Sequence, residues 1–165
     1  MPMSSEDIQS LRALMEYEAS RSAPPQGFPA LPDIPAGRYT DQRFFDLEEA
    51  HIWRKSWLLA AHVDELPEPG CFLLWDNAGQ PVLLVHAVDG SINAFYNTCS
   101  HRGAPVVTER SGRKKRFACP YHGWSYSDKG ELLAVRDPED FCDLDMSTRG
   151  LTPVRCERFG NLVFV

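Results

Sequence analysis

The spacing of hydrophobic and polar residues predicts helices in the first third of the chain and strands in the rest. Residues 4–21 place apolar side chains three and four positions apart, after two serines that can cap a helix N-terminus. The apolar positions of this segment are Ile8, Leu11, Leu14 and Met15. We therefore predict one amphipathic helix there.

A proline-rich stretch separates this helix from a second helical segment. Five prolines lie between residues 24 and 35, and proline is excluded from a helix interior and from a central strand. We expect an extended arm or a linker at this place. From Asp41 the period becomes helical again, with Phe45, Ile52 and Trp53 on one face.

After residue 55 the pattern is typical of short strands. The segment SWLLAAHV, residues 56–63, has the pattern of a buried strand. Further apolar or alternating runs are GCFLLWD, PVLLVHAV, INAFYN, RFACP, WSYS, ELLAV and NLVFV. Turn signals separate them at Asn77 to Gly79, Asp89-Gly90, Asp128 to Gly130 and Gly160-Asn161. This spacing predicts a mainly β fold, either an antiparallel sandwich or a small barrel.

Composition and charge exclude several classes of protein. The 165 residues are 43% hydrophobic, which is enough for a self-supporting core, and their net charge of −6 argues against a nucleic-acid-binding surface. No apolar run approaches the roughly 18 residues that span a bilayer, and the N-terminus has no signal-peptide pattern. We therefore expect a cytoplasmic protein without a membrane anchor. Five cysteines are too few for a disulfide scaffold, so we expect reduced thiols, some of them ligands.

Two short motifs each offer one cysteine and one histidine. CSHRGAP supplies Cys99 and His101, and CPYHGWSY supplies Cys119 and His122. Each motif follows a predicted strand, so we expect both to lie on adjacent loops at one end of the β domain. Thiolate and imidazole groups are ligands of zinc and of iron–sulfur clusters.

Zinc and a binuclear iron–sulfur cluster are the alternatives for this ligand set. Zinc modules usually group two cysteines in one motif and two histidines in another. Here each loop supplies one ligand of each kind, which suits a [2Fe-2S] cluster whose thiolates hold one iron and whose imidazoles hold the other. Gly103 and Gly123 permit tight turns after the histidines, while Pro105 and Pro120 restrict the backbone. These features favour the cluster.

At these residues the sequence resembles the Rieske [2Fe-2S] domain of the large (alpha) subunit of aromatic ring-hydroxylating oxygenases. The similarity covers CSHRGAP and CPYHGWSYSDKGEL, the upstream stretch RYTDQRFFDLEEAHIWRKSWLLAAHVDELPEPG and the downstream stretch RFGNLVFV. It therefore extends over residues 38–165. We expect two parts, an N-terminal helix with a proline-rich arm in residues 1–37 and a Rieske domain in residues 38–165.

The resemblance implies a Rieske-type antiparallel β-sandwich of three sheets, with cluster-binding loops at one end and helices before it. It implies that Cys99 and Cys119 bind one iron and that His101 and His122 bind the other. It also implies an oxidoreductase component that takes electrons from a ferredoxin or reductase. The electrons would pass to a mononuclear non-haem iron in a catalytic domain of the same or a neighbouring subunit, and full-length members of the family often form homotrimers.

Two departures from the family pattern bear on this interpretation. Respiratory Rieske proteins have an extra cysteine in each loop, and here those positions are Ala104 and Tyr121, which favours the oxygenase type. The chain ends inside the predicted strand NLVFV, so we expect a longer polypeptide with its mononuclear Fe(II) in an absent C-terminal domain. His51, His62 and His86 lack paired spacing, and we interpret them as packing or surface residues.

Two other functions stay open at this point: a stand-alone Rieske ferredoxin and, from another class, a zinc-stabilised structural module. The basic run RSGRKKRF, residues 110–117, also has two interpretations. It is typical of a solvated hairpin tip, and it has the charge of a docking patch for an acidic ferredoxin.

The remaining notable residues have simpler interpretations. Cys71, Cys142 and Cys156 have no partner at ligand spacing, and free cysteines behave mostly as small buried residues. Trp124 and Tyr126 fit the core of the strand that leaves the second motif. A hydroxyl from that strand beside a cluster sulfur would tune its potential.

Overall fold

A computed structural model describes residues 3–77 and 79–165, and the chain divides into two compact units between Thr40 and Asp41. The first unit contains α1 (Ser5–Ser20), a segment without helix or strand, and α2 (Gly37–Thr40). A capping box begins α1: the Asp7 backbone N–H donates to Ser4 Oγ (3.1 Å), and the Asp7 carboxylate accepts from the Ser4 N–H (3.2 Å). The predicted helix is confirmed, but its apolar side chains are all exposed.

The second unit begins with a helical segment of two kinds. Helix α3 (Gln42–Glu48) is capped by the Asp41 carboxylate, which accepts from the Arg43 N–H at 2.9 Å, and it continues into a π-helical turn, Glu49–Trp53. The helical prediction is confirmed, although the predicted apolar face is exposed. Within residues 3–77 and 79–165, no helix has both the length and the apolar composition needed to cross a membrane.

Strands dominate the rest of the second unit, and the described residues contain eleven. They are β1 (Leu59–His62), β2 (Cys71–Trp75), β3 (Val82–His86), β4 (Ile92–Tyr96), β5 (Ser111–Arg113), β6 (Phe117–Ala118), β7 (Ser125–Tyr126), β8 (Leu132–Ala134), β9 (Pro153–Val154), β10 (Glu157–Phe159) and β11 (Leu162–Phe164). All their pairings are antiparallel. They form a five-stranded sheet, β5-β2-β3-β4-β9, and two three-stranded sheets, β1-β11-β10 and β6-β7-β8.

The five-stranded sheet has a hydrophobic core on each face. Strand β3 shows why: Leu83 and Val85 belong to one core, whereas Val82 and Leu84 belong to the other. Because successive side chains of a strand point to opposite faces, a strand buried on both sides needs a continuous apolar run. The sequence VLLV supplies that run, and all four residues are buried.

The two cores connect the sheets. The first core joins the five-stranded sheet to the β6-β7-β8 sheet and includes Cys99 and Cys119 of the two motifs. The second core joins the opposite face to the β1-β11-β10 sheet through Ala61 and Val163. The candidate loops are therefore anchored in a packed interior, which limits their freedom.

Most sequence predictions of strands are confirmed, with identifiable exceptions. The pattern missed β5, β9 and β10, which are short and mostly exposed. The segment SWLLAAHV forms β1, but only Ala61 within that strand is fully buried, so the prediction of a buried strand was wrong. The predicted turn at Asn77 to Gly79 includes Ala78, which lies outside the described residues.

Candidate metal centre

The loop that carries the first motif closes with a pair of backbone hydrogen bonds. The N–H of Cys99 donates to the carbonyl oxygen of Ala104 at 2.8 Å, and the N–H of Gly103 donates to the carbonyl oxygen of Cys99 at 2.9 Å. These bonds hold the ends of a six-residue turn together. The His101 side chain is presented from within that turn.

The second loop repeats the same backbone pattern. The N–H of Cys119 donates to the carbonyl oxygen of Trp124 at 2.8 Å, and the N–H of Gly123 donates to the carbonyl oxygen of Cys119 at 2.9 Å. In both loops the backbone of the cysteine forms hydrogen bonds with the residues four and five positions later. The loops differ in the histidine, which is two residues after the cysteine in the first loop and three after it in the second.

A glycine at the fifth position makes both turns possible. Gly103 has φ +75° and Gly123 has φ +74°, a left-handed conformation that side chains other than glycine rarely adopt. A Cβ would meet only Thr98 at 4.0 Å from Gly103, and nothing within 4 Å of Gly123. The glycines are therefore required for the backbone angle and not for lack of space around them.

The folded chain brings the four predicted residues together as two like pairs. The Cys99 and Cys119 side chains are buried in one core, and Cys99 lies close enough to Cys119 to affect its titration. Burial raises the pKa of the Cys119 thiol, and the neighbouring Cys99 raises it further. The rings of His101 and His122 are 4.7 Å apart between centroids and inclined at 68°.

Aromatic side chains surround the imidazole pair. The Trp124 ring stacks on His101 with centroids 4.7 Å apart, and the Phe141 ring packs edge-on against the same imidazole at 5.9 Å. On the other side, the Tyr121 ring lies 3.8 Å from that of His122, and Tyr121 is 61% exposed. The rings restrict the orientations that the two imidazoles can adopt.

One nitrogen of His101 fits a metal better than it fits the protein. Within the part of the chain that the structure describes, His101 Nδ1 is buried without a hydrogen-bond partner. A buried polar atom without a partner is costly, and coordination to a metal ion would satisfy it. Partial burial lowers the pKa of His101, and the charges of His122 and Arg102 lower it further, which favours the neutral imidazole that metals bind.

The hydroxyl group of Tyr126 reaches the sulfur of the first loop. Tyr126 is fully buried, and its Oη lies 3.1 Å from Cys99 Sγ. The same oxygen accepts from the backbone N–H of Ser100 at 3.1 Å and lies 3.0 Å from Ser100 Oγ. Burial raises the pKa of Tyr126 to about 12, so the phenol keeps its proton at neutral pH. The predicted core positions of Trp124 and Tyr126 are confirmed.

The Asn97 side chain forms hydrogen bonds that connect the two segments flanking the first loop. Its side-chain oxygen accepts from the backbone N–H groups of Val106 and Val107, each at 3.0 Å, and its Nδ2 donates to the Val107 carbonyl at 2.8 Å. Asn97 is the one buried polar residue among those described. It therefore satisfies three backbone groups that would otherwise be buried without partners.

The other histidines lie apart from this centre. His62 Nδ1 accepts from the Asp64 N–H at 3.3 Å, His86 Nδ1 lies 2.7 Å from the Leu66 carbonyl oxygen, and His51 is exposed in the π-helical turn. In the ranges 3–77 and 79–165, no group of three or more histidine, cysteine, aspartate or glutamate side chains is arranged around one point as a single metal ion requires.

The remaining cysteines differ in burial. Cys71 and Cys156 are partly buried, and burial raises the pKa of Cys156 to about 11. Cys142 is exposed, so the interpretation of all three as buried residues was wrong for this one. It lies in the segment of residues 136–149, which joins β8 to the loop before Leu151.

The basic run lies away from the second loop. Strands β6 and β7 form a hairpin in which Phe117 pairs with Tyr126. Residues 119–124 connect the two strands at one end of this hairpin, and the basic residues precede β6 at the opposite end. Lys114 Nζ lies 2.8 Å from Glu109 Oε1 and 5.4 Å from the centroid of the Phe72 ring. Arg113 also forms an ion pair, so part of the run has a structural role. The interpretation as a hairpin tip was wrong, because residues 111–113 form β5, which pairs with β2, and the run then connects to β6 in another sheet.

Three residues at this centre were not predicted from the sequence: Asn97, Ser100 and Phe141. An asparagine at the end of an apolar strand carries a weak signal, because a polar residue there needs a buried partner. Neither of the others has a local signature. Phe141 packs on His101 from forty residues further along the chain.

The fold and the twin loops define a class of protein, an antiparallel β domain that presents a cysteine pair and a histidine pair from two similar turns. The sequence profile of the Rieske [2Fe-2S] domain family matches residues 56–147, more than half of the chain. The chain therefore belongs to the Rieske [2Fe-2S] domain family. The resemblance found in the sequence and the predicted Rieske-type β fold are both confirmed.

Three comparisons illustrate the relationship. The alpha subunit of toluate 1,2-dioxygenase from Pseudomonas putida is 43% identical over 101 residues, which are 61% of this chain and 22% of that subunit. The oxygenase subunit of carnitine monooxygenase from Escherichia coli K12 is 34% identical over 145 residues, 86% of this chain and 39% of that subunit. The structure of naphthalene 1,2-dioxygenase from Rhodococcus sp. has a TM-score of 0.75 and 28% identity, covering 98% of this chain and 35% of that one.

These relatives are much longer than the chain. It spans 22% and 39% of the two subunits that it resembles in sequence. They include a dioxygenase and a monooxygenase, so the shared region is common to large oxygenase subunits with different reactions. What the chain shares with both is the Rieske domain.

Proposed function

We propose that Cys99, His101, Cys119 and His122 are the protein ligands of a [2Fe-2S] cluster. In a Rieske centre two cysteines bind one iron and two histidines bind the other. The observation that carries the proposal is the separation of the four side chains into a buried thiol pair and an imidazole pair. Cys99 and Cys119 would hold one iron, and His101 and His122 the other.

The surrounding residues prepare this centre for electron transfer. When bound, the cluster supplies one-electron transfer at about −150 to +300 mV, because two neutral imidazoles replace two thiolates. Trp124 and Phe141 fix the ring of His101 and exclude water from one side of it. The Tyr126 hydroxyl faces the Cys99 sulfur, where a donor would stabilise added negative charge.

The relatives support a proposal for the wider function. We propose that residues 38–165 are the electron-transfer domain of a Rieske-type oxygenase large subunit, preceded by the arm of residues 1–37. A ferredoxin or reductase would supply the electrons, and a mononuclear non-haem iron in a catalytic domain would receive them. That domain would belong to the same or a neighbouring subunit, in a homotrimer located in the cytoplasm. Support comes from the relatives being oxygenase subunits of which this chain spans only part.

Two alternatives are separated from this proposal by their metal content and their partners. A zinc-stabilised module would bind one zinc ion through all four side chains. A stand-alone Rieske ferredoxin would carry the same cluster but would exchange electrons between proteins without an attached catalytic domain. Whether the coding sequence continues after Val165 into a catalytic domain distinguishes the ferredoxin from the oxygenase subunit.

The ligand assignment is tested by metal analysis of the purified chain. We expect two irons and two acid-labile sulfides per chain, and a Rieske-type EPR signal after reduction. The variants His101→Cys and His122→Cys should lower the potential or lose the cluster, because a thiolate adds negative charge. His51→Ala is the matched control, since His51 is exposed away from the loops. A colourless protein with one zinc per chain would rule out the proposal.

A further inference from the structure

Ser100 lies between the first cysteine and the first histidine, and its hydroxyl group has two neighbours. Ser100 Oγ is 2.6 Å from the carbonyl oxygen of Arg149 and 3.0 Å from Tyr126 Oη. A carbonyl oxygen can only accept a hydrogen bond. The single hydroxyl proton of Ser100 is therefore committed to Arg149, so Ser100 Oγ can only accept from Tyr126.

The proton of Tyr126 then has two competing acceptors. Tyr126 Oη accepts from the Ser100 backbone N–H at 3.1 Å, and it has one proton of its own to donate. Cys99 Sγ lies 3.1 Å from Oη and Ser100 Oγ lies 3.0 Å from it. A thiolate that binds a metal is also an acceptor only. One O–H group is therefore shared between a sulfur and an oxygen at almost equal distances.

We propose that Ser100 is a positioning residue that sets how strongly Tyr126 donates to the Cys99 sulfur, and thereby lowers the reduction potential of the centre. The inference rests on the proposed ligand role of Cys99. A donor to a cysteine sulfur favours the reduced cluster, because reduction adds negative charge to the sulfurs. A hydrogen bond from Tyr126 to Ser100 Oγ therefore weakens the hydrogen bond from Tyr126 to that sulfur.

Opposite changes are expected from the two hydroxyl groups. Removing the Ser100 hydroxyl leaves the hydrogen bond from the Ser100 backbone N–H to Tyr126 in place. The phenolic O–H then has Cys99 Sγ as its one remaining acceptor of the two, so the reduction potential rises. Removing the Tyr126 hydroxyl deletes the donor, so the potential falls. The Arg149 carbonyl is near the surface, where water can replace the lost bond.

The test is a set of midpoint potentials measured by EPR-monitored titration of the purified holoprotein. Ser100→Ala should raise the potential, Tyr126→Phe should lower it, and Ser100→Thr, which keeps the hydroxyl, should stay near wild type. In the Tyr126→Phe background, Ser100→Ala should cause no rise, because there is no proton left to redirect. If Ser100→Ala does not accumulate as holoprotein, Ser100→Gly removes the same hydroxyl.

Pulsed EPR in D2O gives a second measurement on the same samples. The exchangeable coupling that Tyr126→Phe removes is that of the phenolic proton, and this coupling should be stronger in Ser100→Ala than in wild type. An unchanged or lower potential in Ser100→Ala, or the same rise in both backgrounds, would overturn the inference. A wild-type protein without a Rieske signal would instead overturn the ligand assignment, so the two failures are distinguishable.

Discussion

The indole ring of Trp124 lies parallel to the imidazole of His101, with 8° between their planes and 4.7 Å between their centroids. Trp124 is itself buried, and Phe141 packs edge-on against it at 5.7 Å as well as against His101. A stacked ring resists rotation of its partner, because rotation would separate the two contacting faces. The orientation of His101 is thus set by residues outside the candidate ligand set.

Phe141 provides a direct test of this packing. Phe141→Ala removes a partly buried ring, and we expect roughly 2 kcal/mol lower stability, about half the cost of truncating a fully buried phenylalanine. Because water would reach His101, iron should also be lost faster to a chelator. Phe159→Ala is the matched control, since Phe159 is 81% exposed in β10. Thermal unfolding and the decay of visible absorbance measure both effects, and equal decay in the two variants would contradict the shielding role.

Substitution of Asn97 is expected to lower the stability more than substitution of a typical polar residue does. Asn97→Ala leaves two N–H groups and one carbonyl of Val106 and Val107 buried without partners, which should cost about 3 kcal/mol. The first loop should also hold its cluster less well. Asn161→Ala, at an exposed turn, should change stability by less than about 0.5 kcal/mol. Chemical denaturation compares the two, and a similar small loss in both would show that water replaces the Asn97 side chain.

The fold was predictable where burial and sequence pattern coincide. The three central strands of the five-stranded sheet, β2, β3 and β4, have apolar runs because both faces of the sheet are covered there. Strand β5 (Ser111–Arg113) is polar throughout, and it exists because its backbone pairs with β2. An alternating or continuous apolar pattern reveals only side chains that avoid water, so an exposed edge strand has no such pattern.

The candidate ligands were predictable for a different reason. A cysteine and a histidine within four residues form a local pattern, and the glycine that follows is fixed by the backbone angle of the turn. Ser100 and Phe141 act through contacts with residues 26 to 49 positions away in the chain. Such roles depend on tertiary packing, which no local window contains.

Cysteine reactivity distinguishes the thiols outside the centre. At pH 8 iodoacetamide should modify Cys142 first, because it is exposed. Cys156 should react slowly, since burial raises its pKa to about 11 and leaves roughly one thiolate in a thousand at that pH. Its rate should rise about tenfold per pH unit up to that pKa. Mass spectrometry of the holoprotein measures both sites, with Cys142→Ser as the control that removes the fast phase; equal rates at pH 8 would contradict the burial of Cys156.

The two lysines of the basic run should behave differently from one another. Lys114→Glu places a carboxylate beside Glu109 and removes the contact with Phe72, so stability should fall by about 1 kcal/mol. Lys115→Glu changes only an exposed charge and should leave stability unchanged.

The variant Lys115→Glu also tests whether the basic run docks an electron donor. The basic run precedes β6, at the end of the β6–β7 hairpin opposite the second loop. We therefore expect Lys115→Glu to change the rate of reduction by an acidic ferredoxin very little at low salt. Stopped-flow reduction at two ionic strengths is the measurement, since an electrostatic docking patch is screened by salt. A large slowing in Lys115→Glu that disappears at high salt would establish the docking patch and contradict this expectation.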